Sequence, residues 1–171
     1  RKDRNGEGSF SQVMKGIEIL KKHDVEFNTL TVVQNDNSFH PEEVYQFLKE
    51  IGSKYLQFIP IVEPSLKSSK TLVGERTVDS LQWGKFLLSI FQQWIDFDIG
   101  SIFIQNFDVT LGQYLGGPST ICTHGKYCGR ALALEHNGDI YRCDHFVNPE
   151  NYIGNIAEKS LIEIVTNEKQ I

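Results

Sequence analysis

The stretch CTHGKYCGRALALEHNGDIYRCD, residues 122–144, holds all three cysteines of the chain and ends on an aspartate. Asn137-Gly138 lies between two alternating runs, the strongest short-range signal for a β-hairpin with a two-residue loop. Such a loop sets Leu132 opposite Cys143 and returns Cys143 to the start of the hairpin. Cys128 lies just before that start, and Cys122 one short loop further back. The expected geometry therefore converges three thiols on one point. Three soft ligands at one place suit a metal or an iron–sulfur cluster, and they ask for a fourth.

Blander readings stand beside that one. Free cysteines pack in cores as small hydrophobes. A structural zinc site usually shows Cys-x2–4-Cys pairs, which the x5 and x14 spacings here do not supply. His124, His136 and His145 are near enough in sequence to complete a zinc site, although a histidine in such a loop is more often a surface residue. Asp144 follows a cysteine directly. It is either a strand-end acid bonded to local backbone or a base beside a reaction centre.

Outward from the hairpin, the C-terminal side carries Ser160-x-x-Glu163, a capping-box pattern opening a short helix with Leu161, Ile164 and Val165 inward. The N-terminal side changes grammar near Gly116-Gly117-Pro118, where a boundary separates residues 1–116 from 117–171. Before it, helices and strands alternate. Ser9-x-x-Gln12 caps a helix with Phe10, Val13, Met14, Ile17 and Leu20 at helical spacing. Residues 25–33 (VEFNTLTVV) are rich in β-branched side chains and predict a strand. Pro41-Glu42-Glu43 opens a second helix with Val44, Phe47, Leu48 and Ile51 as its stripe, and Gly52 closes it. Residues 55–62 (YLQFIPIV) form the next strand, with Pro60 near its end. A polar loop over 63–77, long enough for a lid, precedes an amphipathic helix over 79–97. Ser101 to Phe107 predicts a third strand. This alternation predicts an α/β fold with parallel strands.

The bulk numbers bound the function. The 171 residues carry a net charge of −5 with 40% hydrophobic and 23% charged residues, a globular composition. No basic stripe favours nucleic acid, and no apolar run approaches membrane-spanning length. The chain begins at Arg1 and has its single methionine at Met14, inside a predicted helix. It is expected to be an internal piece of a longer cytoplasmic protein. An odd cysteine count fits a reducing compartment with further ligands elsewhere.

Five segments carry a family resemblance: RNGEGSF (4–10), VEFNTLTVV (25–33), LQFIP (56–60), CGRALALEHNGDIYRCDHFV (128–147) and IGNI (153–156). Together they resemble the anaerobic sulfatase-maturating enzymes, which are radical S-adenosylmethionine (SAM) enzymes with a C-terminal SPASM region. The resemblance implies the C-terminal part of a partial (β/α)6 barrel, followed by the start of the SPASM region. It implies SAM and [4Fe–4S] clusters as cofactors and a sulfatase polypeptide as partner. The implied reaction oxidises a cysteine or serine to Cα-formylglycine.

Position by position, Cys122, Cys128 and Cys143 resemble three ligands of an auxiliary cluster, and Asp144 resembles the catalytic base. Arg1 and Val62 fall at SAM-pocket positions, and Gln57 lies in a strand lining the cavity. The Cys-x3-Cys-x2-Cys motif of the SAM cluster and the later SPASM cysteines are absent from these residues, so the segment alone is expected to be inactive. Two other functions remain open on the sequence: a different SPASM peptide maturase, or a non-catalytic metal-binding module that binds sulfatases.

Overall fold

In a computed structural model of the chain, residues 2–63, 73–126 and 131–166 are described. Much of the expected 63–77 loop, together with Arg1 and Cys128, lies outside the described residues. The chain divides into two compact units, Arg1–Asp108 and Val109–Ile171.

The first unit is built on three parallel strands in the order β1–β2–β3: β1 (Asn28–Val33), β2 (Tyr55–Pro60) and β3 (Phe103–Ile104). Asn28 pairs with Tyr55 and Val33 with Pro60, so proline ends the ladder, where its missing N–H does no damage. α1 (Phe10–Lys22), α2 (Pro41–Glu50) and α3 (Ser80–Gln93) are the long helices of this unit. The period-2 rule sorts the sheet. Val33, Leu56, Phe58 and Ile104 bury against Tyr45, Leu48, Phe86, Ile90 and Trp94. Leu30, Val32, Tyr55 and Phe103 point the other way and stay exposed. Parallel sheets are normally covered on both faces. Among the described residues, helices cover one face and leave the other open.

Several expectations need correction. Ser9 precedes α1, but its side chain makes no capping hydrogen bond, so the predicted capping box does not form. Asp79 caps α3 instead, accepting from the N–H groups of Leu81 and Gln82. The predicted strand over 101–107 shrinks to Phe103–Ile104. Its remainder begins a helix, α4 (Gln105–Tyr114), that the sequence reading missed. The reason is packing: Phe107 must reach Phe91 (ring centroids 5.2 Å apart) and Trp94 (5.4 Å), and a helical turn points it there. α3 runs into a π-helical turn, Trp94–Asp98. That turn lets Trp94 donate to the Ile102 carbonyl at 2.7 Å while Asp98 faces α2. Asp98 Oδ2 accepts from the Tyr45 hydroxyl and from Lys49 Nζ, both at 2.8 Å. Tyr45 is fully buried. Burial first, then the Asp98 carboxylate, push its hydroxyl pKa far above the tyrosine norm.

The second unit centres on an antiparallel sheet: β4 (Ala133–Leu134), β5 (Asp139–Tyr141) and β6 (Tyr152–Asn155). α5 (Leu161–Val165) follows, and here the capping box between Ser160 and Glu163 is formed in full. Ile140, Ile153 and Ile164 make a small core with Leu132 against it.

The hairpin forms, but one residue out of the expected register. Glu135 N–H donates to the Asp139 carbonyl and Gly138 N–H to the Glu135 carbonyl, each at 2.9 Å. The loop is therefore the three residues His136, Asn137 and Gly138. Ala133 pairs with Tyr141 and Leu134 with Ile140; continued outward, this register sets Leu132 against Arg142 rather than Cys143. The cause is side-chain chemistry. Asn137 Oδ1 accepts from the Asp139 N–H (3.1 Å), which closes the turn locally. Gly138 alone then takes the left-handed conformation, at φ +89°, as three-residue hairpin loops require.

Candidate functional site

β5 ends at Tyr141, and Arg142 leads the chain on to Cys143. The next three residues turn back on the sulfur. The ligand atoms of Cys143, Asp144 and His145 all lie within 4.8 Å of one another. The His145 backbone N–H donates to Cys143 Sγ at 3.4 Å, and the Cys143 thiol reaches Asp144 Oδ1 at 3.6 Å. His145 Nδ1 lies 3.0 Å from the same carboxylate oxygen and 3.6 Å from the sulfur. One carboxylate oxygen is thus shared by a thiol and an imidazole. The Asp144 and His145 side chains are more than half exposed, at 65% and 56%, so both are accessible to another molecule.

Cys122 stands at the start of a short 3-10 turn, Cys122–His124. It lines a cavity of about 540 Å³ together with Ile121, His124, Lys126 and Ala131. Cys122 and Cys143 are both free, half-buried thiols. Two features suit them to hold an iron–sulfur cluster. Neither sulfur is committed to a disulfide, and Cys143 Sγ receives a backbone N–H, the kind of hydrogen bond that tunes cluster sulfurs. His145 joins the Cys143 group, whereas His136 is on the hairpin loop, 94% exposed and beside Glu135.

The first unit holds the other positions singled out in the sequence. Gln57, in the middle of β2, lines a cavity of about 210 Å³ on the open face of the sheet. Val62 follows the end of β2 and is 70% exposed. Asp108, in the first turn of α4, also lines the Gln57 cavity. Burial pushes its carboxyl above the usual carboxylate range, against a backbone hydrogen bond from Ile104 that pulls the other way. The sequence reading missed Asp108 because it extended a strand through Phe107. A helix starting at Gln105 places Asp108 one turn beyond Ile104, and that helical reading was the available signal.

Comparison with known proteins gives these positions a context. Residues 122–171 match the SPASM iron–sulfur cluster-binding domain, a match that starts on Cys122. A serine-type anaerobic sulfatase-maturating enzyme from Bacteroides thetaiotaomicron is 43% identical over 182 residues, covering 99% of this chain and 44% of that protein. The cysteine-type enzyme of Clostridium novyi is 35% identical, covering 96% of this chain and 44% of that protein.

Along nearly its whole length the chain is homologous to anaerobic sulfatase-maturating enzymes.

Solved structures of the family agree. Native anSMEcpe with bound AdoMet superposes with a TM-score of 0.85 at 31% identity, over 99% of this chain and 46% of that one. The same protein with AdoMet and the Cp18Cys peptide gives 0.84 at 32% identity, over 99% and 47%. The chain therefore spans less than half the length of these family members. No helix among the described residues is long and apolar enough to cross a membrane.

Proposed function

We propose that the protein carrying this chain oxidises a cysteine or serine of a sulfatase polypeptide to Cα-formylglycine by radical SAM chemistry. The chain supplies the C-terminal strands of a partial (β/α)6 barrel and the first part of the SPASM region. What carries the reading is similarity to a sulfatase-maturating enzyme along 99% of the chain. The relatives include both serine-type and cysteine-type enzymes, so the target residue is either of the two.

Cys122, Cys128 and Cys143 are assigned to an auxiliary [4Fe–4S] cluster, with a fourth ligand outside this chain. Arg1, Gln57 and Val62 are assigned to the cofactor side of the barrel. When bound, SAM and the clusters supply a radical that removes a Cβ hydrogen from the target residue and an acceptor for the electron that leaves. Asp144 has the remaining task. As Cβ becomes a carbonyl carbon on serine, or on cysteine a thiocarbonyl carbon that water then hydrolyses with loss of hydrogen sulfide, the target hydroxyl or thiol must lose its proton, and the Asp144 carboxylate takes it. His145 Nδ1, 3.0 Å from Oδ1, limits the directions in which that carboxylate can turn. The segment alone, without the SAM-cluster motif, is assigned no activity. Its free thiols suit the reducing cytoplasm.

Asp144→Asn in the full-length enzyme keeps the shape and removes the basicity. A positioned base contributes ~10²–10⁴-fold to such a step. The variant should still cleave SAM, followed as 5′-deoxyadenosine, while formylglycine in a sulfatase peptide, followed by mass spectrometry, falls by that factor. Near-normal formylglycine would remove Asp144 from the role and leave His145 as the next group to test.

A further inference from the structure

Asp144 Oδ1 has two hydrogen-bonding neighbours at once. The Cys143 thiol reaches it at 3.6 Å and His145 Nδ1 at 3.0 Å, and Nδ1 itself lies 3.6 Å from Cys143 Sγ. In this triangle the sulfur, as a thiol, donates to the carboxylate. A sulfur that ligates iron has no proton to give, because the thiolate is the ligand. As an iron ligand, Cys143 therefore becomes an anion 3.6 Å from the oxygen it served. Like charges that close repel. The carboxylate can answer by turning about χ2, a torsion with broad preferences, and a base that turns is no longer aimed.

His145 is the neighbour that opposes this turn. A ring nitrogen bearing its proton is a donor, and Nδ1 is within reach of both the carboxylate oxygen and the sulfur. One N–H set between two anions favours the arrangement that keeps both beside it. The ring is held in place from its own backbone, since the His145 N–H donates to Cys143 Sγ at 3.4 Å. Both side chains are more than half exposed, so the pair adds little to stability. Its effect is on direction: with Oδ1 engaged, Oδ2 is the oxygen left to receive a proton.

We propose that His145 is the positioning residue of the base, its Nδ1–H bridging the Asp144 carboxylate and the iron-ligating Cys143 sulfur so that Oδ2 takes the proton of the target hydroxyl or thiol. The proton passes from the target to Asp144, and His145 neither gains nor loses one. The inference rests on the sulfatase-maturation reading above, with Asp144 as base.

The experiment compares His145→Asn, His145→Gln and His145→Leu in the full-length enzyme with its clusters. The asparagine amide carries its N–H near the place of Nδ1, the glutamine amide near that of Nε2, and leucine has no donor. A positioned base contributes ~10²–10⁴-fold, and losing its aim forfeits part of that. His145→Leu and His145→Gln should lower kcat for formylglycine about 10- to 100-fold and leave KM for the sulfatase peptide nearly unchanged. His145→Asn should stay close to wild type. SAM cleavage should continue in all three, so 5′-deoxyadenosine per formylglycine rises only in the first two. Hydrogen bonds to the sulfurs set cluster potentials. The electron paramagnetic resonance signal that Cys143→Ala removes should therefore titrate lower in His145→Leu and His145→Gln, by about threefold in the reduction equilibrium or ~28 mV, and not in His145→Asn.

Glutamine serving as well as asparagine, asparagine failing as leucine does, or leucine matching wild type overturns the inference and leaves the maturation reading intact. If the variants lose iron, wild type decides. With histidine ¹⁵N-labelled in the ring and His124→Asn as background, the reduced cluster should show a ring-nitrogen coupling, and its absence overturns the inference. A wild-type enzyme that makes no formylglycine overturns the maturation reading and the inference together.

Discussion

Asn155 joins the hairpin turn to β6, and its removal has a magnitude that can be worked from the structure. Its Nδ2 donates to the Asn137 carbonyl (3.1 Å) and to Asp139 Oδ1 (2.9 Å), and its Oδ1 accepts from the Ala157 N–H (2.8 Å). Neutral hydrogen bonds contribute a net ~0.5–1.5 kcal/mol, and those to charged groups more. The bonds are part-exposed, so Asn155→Ala should destabilise this unit by roughly 2–3 kcal/mol. That is a large share for a sheet whose buried core is Ile140, Ile153 and Ile164. At ~1.4 kcal/mol per factor of ten, local opening should become about 30- to 150-fold more frequent. Native-state hydrogen exchange reads this directly. The amides of Glu135, Gly138 and Ile156, all bonded across the turn, should lose that protection, while amides in β1 and β2 keep theirs. Asn155→Asp sharpens the test: it retains the acceptor for Ala157 but sets a second carboxylate against Asp139, so it should be no better than alanine. Protection at these three amides changing less than about threefold in Asn155→Ala, or falling equally in β1 and β2, would refute the reasoning.

Two further outcomes follow from the first unit. Asp98→Ala leaves the Tyr45 hydroxyl buried without its acceptor and Lys49 without its ion pair, and should cost about 2–4 kcal/mol in urea unfolding. Tyr45→Phe removes the hydroxyl and its need for a partner together, and should cost about 1 kcal/mol; a larger loss from Tyr45→Phe than from Asp98→Ala would contradict this ordering. For pH, the folded-state pKa of Asp108 lies above its unfolded value of 3.8. Its favourable contribution is therefore present below that value and lost as pH rises through the folded pKa. Asp108→Asn should gain on wild type in Tm as pH rises from the mid-3s toward neutrality, and a Tm difference that stays flat with pH would show that the carboxylate carries no such penalty.

The sequence declared its elements wherever one local rule sufficed. Pro41-Glu42-Glu43 and Gly52 bracket α2, with Gly52 at φ +87° closing it as expected. Ser160-x-x-Glu163 forms its reciprocal cap, and β2 starts at Tyr55 as its β-branched and aromatic run implies. What was illegible depends on contacts far apart in sequence. Phe103 to Phe107 has strand-like composition, yet Phe91 and Trp94 draw Phe107 into a helix. β6 lacks an apolar alternation that would announce it. It forms because Asn155 closes on the Asn137 turn and Gly154 lies close under Ile164. The hairpin signal at Asn137-Gly138 was right about the turn and wrong by one residue about its length. A period-2 structure turns that single residue into a change of face. The site shows the same division. Cys143, Asp144 and His145 are adjacent in sequence and need only one tight turn to meet. The Asp108 cavity was not legible, because it is assembled from the first residues of three strands and the first turn of a helix whose start the sequence hid.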